Sequence, residues 1–236
     1  MKYLLILSCL LFASVGWSED ININDLVLSN KDGLLYEEFA DIPFTGKVAG
    51  QEKGRIDKGI KIGKWIEYWD NGQLLGKYNY KNGEHDGEQL EYYENGLISR
   101  KVNFKDGKLD GEQLEYFENG QLEIKRNYKD DKKEGEQLEY FESGQILSKN
   151  NYKDGKEEGE QLEYLESGQI LSKNNYKDGK EDGTEIFTYY KNGQILSKSK
   201  YKDGKKDGEY LYYDNKGLLN THEIYKDGKL TETIKP

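Results

Sequence analysis

Glycine recurs in fixed phase through most of this 236-residue chain. One series falls at Gly72, Gly96, Gly120, Gly144, Gly168, Gly193 and Gly217. A second falls at Gly83, Gly107, Gly155, Gly179, Gly204 and Gly228, with Asp131 standing in for one member. A third, Gly63, Gly87, Gly111, Gly135, Gly159, Gly183 and Gly208, opens each unit. The step is 24 residues, with one step of 25 in each series where a single residue enters between Gly183 and Gly193. A period of this length marks a repeat array rather than a globule. The glycines also arrive too often for stable helices.

Asn-Gly and Asp-Gly are the favoured residues of two-residue hairpin turns, because both central positions need positive φ. Asn95-Gly96 and Asp106-Gly107 fit that chemistry, whereas Ser143-Gly144 and Ser167-Gly168 fit it less well. Turns at both series leave strands of about seven to nine residues, a normal length. The expected fold is all-β, an elongated single-layer antiparallel meander with two strands per repeat. Four segments follow: 1–18 as a leader, 19–43 as an entry segment with a degenerate repeat, 44–230 as the array, and 231–236 as a tail.

Strand alternation places Leu90 with Tyr92, Leu114 with Tyr116 and Leu138 with Tyr140 on one face. Tyr93, Phe117 and Phe141 fall on the other. The same parity puts Ile98 with Phe104, Ile146 with Tyr152, and Ile170 with Tyr176. Neither face is apolar enough for a thick core. Glu-rich strands (Glu112, Glu115, Glu118) alternate with Lys-rich ones (Lys149, Lys153), so opposite charges should meet across the sheet. They serve as a register device or as a binding stripe. Trp65 and Trp69 share one face of the first full unit, as a binding patch or as the capping edge. Together Trp65, Trp69, Tyr93, Phe117 and Phe141 are the candidate partner-binding surface.

Reactive groups are few: one Cys (Cys9) and two His (His85, His222). No disulfide framework, zinc cluster or nucleophile–His–Asp set can be assembled from them. The expectation is therefore a non-enzyme, with no catalytic, cofactor-binding or metal-ligating residue. A formal charge of -10 argues against nucleic acid as a partner.

Residues 1–18, MKYLLILSCLLFASVGWS, combine Lys2, an apolar run from Leu4 to Val15 and small residues at Gly16 and Ser18. This is the pattern of a secretory signal peptide cleaved after Ser18. It is shorter than the roughly 20 apolar residues a spanning helix needs. Cys9 also admits a lipoprotein reading. No other segment is apolar enough to cross a membrane, so the mature chain is expected to be exported without a transmembrane segment.

The unit running from Gly111 to Gly120, with Asn127 to Lys129 and the entry Pro43-Phe44-Thr45-Gly46-Lys47, resembles the bacterial variant of the MORN repeat. The chain as a whole resembles the YwqK-type, antitoxin-labelled family. The resemblance implies a non-catalytic scaffold, and for the antitoxin label, neutralisation of a toxin by direct binding. Three functions follow as expectations: an exported scaffold for a protein partner, an immunity protein against one toxin, and a binder of surface glycan.

Overall fold

The computed structural model describes residues 20–235. The leader read over 1–18, with its Cys9, lies outside the described residues. Among the described residues the architecture is the expected β-meander, with 22 strands in one sheet and one 3-10 turn, Ile23–Asp25. From Gly46–Ala49 to Lys229–Ile234, strands that follow one another in sequence pair as antiparallel neighbours. At a strand spacing of about 4.8 Å the sheet extends roughly 80 Å across its strands. Ile21–Asn22 adds a parallel pairing to Gly46–Ala49 at the entry edge. Leu26–Leu28 and Leu35–Glu37 form a separate hairpin outside this sheet. The opposite edge, Lys229–Ile234, is exposed along its length and, among the described residues, pairs with Leu219–Lys226 alone.

The two turn series differ. At Asp106-Gly107 both residues are left-handed, with φ of 46° and 78°, between the paired Lys105 and Lys108. This is the expected two-residue turn, and Asp131 adopts the glycine's conformation at φ 66°. The Asn-Gly series corrects the expectation. Gly120 has φ 85°, while Asn119 stays outside the left-handed region. Phe117 C=O accepts from Gly120 N–H at 2.8 Å, and Phe117 N–H donates to Gln121 C=O at 2.9 Å. The loop therefore has three residues, a type I turn closed by a left-handed glycine. Asn119 Oδ1 accepts from Gln121 N–H at 2.8 Å, which fixes the loop from inside. Ser143 and Ser167 occur at this position because it needs no positive φ.

Replacing Gly120 by valine is expected to cost about 1–2 kcal/mol, the strain of a β-branched residue in left-handed backbone. Space is not the obstacle, since an added Cβ would meet only Leu97 Cδ1, at 3.4 Å. Peptide-resolved hydrogen exchange should show the loss around residues 112–128. Unchanged protection there would contradict this loop geometry.

The face assignments within the second strand of each unit also need correction. Ile98 pairs with Tyr92, and the register then shifts before Arg100 pairs with Glu91. That bulge reverses the parity, so Ile98 and Phe104 stand on opposite faces. The same shift separates Ile146 from Tyr152 and Ile170 from Tyr176. The face bearing Leu90, Tyr92 and Ile98 is called here the ladder face, and the other the clamp face.

The opening glycines form a second bulge, and across each stands an aromatic residue of the clamp face. Gly111 lies opposite Tyr128, Gly135 opposite Tyr152 and Gly159 opposite Tyr176. At Gly135 the bulge leaves the N–H of the neighbouring Asn127 without a regular ladder partner. Gln137 supplies one. Its Oε1 accepts from Asn127 N–H at 3.2 Å, and its Nε2 donates to the carbonyls of Asn127, Glu134 and Gly135. Gln89 clamps Asn79 and Gln161 clamps Asn151 in the same way. These glutamines are buried, as hydrogen-bonded polar groups can be. In several units the carboxylate before the opening glycine reaches the following turn: Glu134 accepts from Asp154 N–H and Glu158 from Asp178 N–H, both at 2.9 Å.

Buried apolar side chains are scarce along the array and concentrate at its start. Val48, Ile56 and Trp65 form the core cluster, packed against Ile21, Ile23, Leu26 and Leu35 of the entry segment and against Phe44 at the start of the array. The entry segment thus closes one end of the clamp face over the first strands.

Candidate partner-binding surface

The ladder face is built from one register. Ile66 pairs with Lys77, Lys77 with Leu90, Leu90 with Lys101 and Lys101 with Leu114. The row continues through Lys125, Leu138, Lys149, Leu162, Lys173, Phe187, Lys198 and Leu211. Apolar and basic side chains therefore alternate strand by strand, with lysines about 9.6 Å apart. The repeat length produces this order, because each period adds one strand that supplies the apolar residue and one that supplies the lysine.

Each central lysine meets a glutamate. Lys101 reaches Glu88 at 2.7 Å, Lys125 reaches Glu112 at 3.2 Å, Lys149 reaches Glu136 at 2.5 Å, and Lys173 bonds Glu160. The hydrogen bond to its glutamate raises the pKa of Lys101, Lys149 and Lys173 above the ordinary lysine value. These expected opposite-charge pairs are half-exposed and contribute at most about 1 kcal/mol each. Nearer the entry, Lys53 and Lys77 lie over the rings of Tyr68 and Tyr92 instead, at 4.7 and 5.5 Å. A parallel row alternates Tyr with Leu or Ile: Tyr92 with Ile98, Tyr116 with Leu122, Tyr140 with Ile146. Ile146 is among the exposed large apolar residues.

The sequence-derived surface residues do not form one patch. Trp65 is 0% exposed and belongs to the core. It is withdrawn from the surface because Gly54 leaves its indole room to lie flat on the backbone; a Cβ there would stand 2.3 Å from the ring. Trp69, Tyr93, Phe117 and Phe141 stand at equivalent positions immediately before successive three-residue loops. Each is half-buried. They line one margin of the sheet as a row, rather than its face. The Tyr93 hydroxyl is already used, donating to Tyr116 C=O of the next unit at 2.5 Å. The Leu–Lys row escaped the sequence reading as a single feature. Its signal was present in the 24-residue spacing of Lys77, Lys101, Lys125, Lys149 and Lys173.

Among the described residues no cluster of three or more His, Cys, Asp or Glu side chains could hold a metal ion. No helix among them is long and apolar enough to cross a membrane.

No curated protein matches the chain. Among solved structures, a porin-like protein from Bacteroides uniformis ATCC 8492 matches at 10% identity, covering 83% of this chain and 91% of that one, with a TM-score of 0.19. The family model described as MORN repeat variant matches residues 61–82, 86–106, 109–130, 133–154, 157–178 and 184–203, more than half of the chain. Each matched segment falls on strand pairs with the geometry above, and the chain belongs to the MORN repeat variant family.

Proposed function

We propose that this chain is an exported, non-enzymatic scaffold that holds a protein partner along its ladder face. One observation carries the reading. The Leu–Lys row runs unbroken over successive repeats, with a Tyr–Ile or Tyr–Leu pair beside it in each hairpin, and no strand or helix among the described residues is layered over it. Partly buried apolar side chains between neutralised charges suit a protein surface better than a polyanion, which would have to displace each glutamate. Repetition makes the contact additive, as expected where every unit presents the same few groups. The apolar leader at 1–18 supports export.

Lysine-directed crosslinking in native cells, read by mass spectrometry, tests this. Crosslinks should concentrate on Lys101, Lys125, Lys149 and Lys173 of the ladder face. Crosslinks confined to the turn lysines Lys105, Lys129, Lys153 and Lys177 would overturn the reading. The YwqK-type antitoxin reading predicts in addition that the captured partner is an enzyme, inhibited at one-to-one stoichiometry.

A further inference from the structure

Where the entry segment meets the first repeat, the clamp face opens into a groove of about 590 Å³. This lies within the size range of ligand pockets, about 300–1,000 Å³. Its aromatic wall is Trp69, with Ile23 and Asn24 of the entry segment, Leu75 and Glu94 also lining it. Trp69 has counterparts in Tyr93, Phe117 and Phe141, yet only here does an entry segment supply a facing wall.

The groove is strongly one-signed. Glu52, Glu67, Asp70 and Glu94 line it, and no cation does. Behind it, Lys61 engages Glu52 at 2.7 Å and stands 3.9 Å from Glu67, while its ammonium lies over the Trp65 ring. Asp70 accepts from Gln51 Nε2 at 2.6 Å. Glu94 makes no ion pair or hydrogen bond among the described residues. The Glu67 carboxyl is held above its ordinary range by burial first and then by neighbouring Glu52 and Glu91, against the opposing pull of Lys61. The Trp69 indole N–H is buried and has no hydrogen-bond partner among the described residues. An aromatic ring and several carboxylates lining one groove can receive an organic cation, by ring-face attraction and charge-assisted hydrogen bonds together.

We infer that this groove receives a basic side chain, guanidinium or ammonium, presented by the protein partner. The inference rests on the scaffold reading for the identity of the donor, though not for the chemistry of the groove. A partner laid along the sheet would gain from it a fixed starting point. The ladder face repeats with every unit and cannot specify one position, whereas the groove is bounded by the entry segment and marks the entry end. An anchored basic residue would set which repeats the rest of the partner meets.

Titration with triarginine amide, read on the indole N–H resonances in nitrogen-15 spectra, tests the inference. The Trp69 resonance should move saturably, and added salt should weaken the effect. Triglutamate should leave it in place. Binding should weaken about tenfold in the Glu67→Gln/Glu94→Gln double variant, the loss expected when charged contacts are neutralised. Glu142→Gln, in a distant turn, should bind as the unaltered protein does. Absence of a saturable Trp69 shift, or equal binding by the double variant, would overturn the groove assignment. Either result would leave the ladder-face crosslinks to stand or fall by themselves.

Discussion

Replacing Trp65 by alanine should cost this protein about 3–5 kcal/mol, the loss typical of a large aromatic side chain removed from a core. Trp65 is the largest fully buried side chain among the described residues. It packs with Val48 and Ile56 and meets Tyr80 edge-on, with ring centroids 6.2 Å apart. Nothing nearby can fill its space, because the facing position is the bare backbone of Gly54. The loss should be local. Repeat arrays couple nearest neighbours, so residues 46–81 should lose hydrogen-exchange protection while 146–177 keep theirs. A uniform loss across the sheet would show that the array unfolds as one cooperative body.

A second large effect is expected at Gln137, replaced by leucine. The substitution keeps a side chain of similar bulk in the same place. It strips the Asn127 N–H of its acceptor, and three carbonyls lose a donor. A buried backbone donor left unpaired costs about 1–3 kcal/mol, so leucine should destabilise the protein despite being more apolar. Denaturant midpoints of the Gln137→Leu and Gln137→Glu variants measure it. Glutamate preserves the acceptor, so recovery of stability there would assign the cost to the Asn127 N–H. A leucine variant as stable as the unaltered protein would mean that packing alone holds the bulge.

The period and the two-strand unit were legible because glycine recurs where the backbone must turn left-handed, and Asp106-Gly107 forms the turn its residues favour. Face parity failed at Ile98 and Phe104 because a bulge carries no residue of its own. The sequence around Ser99 reads as ordinary strand, and only pairing against Tyr92 and Glu91 shows the skipped position. Trp65 was misplaced for a related reason. Tryptophan in a polar repeat resembles an exposed anchor until the fold brings the entry segment over it. The Gln clamps were hidden because glutamine in a strand ordinarily faces solvent. Their burial follows from the bulge and cannot be inferred without it. The groove at Trp69 depends on residues far apart in sequence, Ile23 and Glu94 among them.

The clamps and carboxylate tethers reach only from one unit to the next: Gln137 to Asn127, Glu134 to Asp154, Tyr93 to Tyr116. No bond of this kind counts how many units lie between the closed entry edge and the exposed strand Lys229–Ile234. The molecule is therefore built as a ruler. Deleting or duplicating one 24-residue unit would move the far edge by about 9.6 Å and leave every remaining joint as it was. Length can therefore change in whole units without any new kind of joint between them.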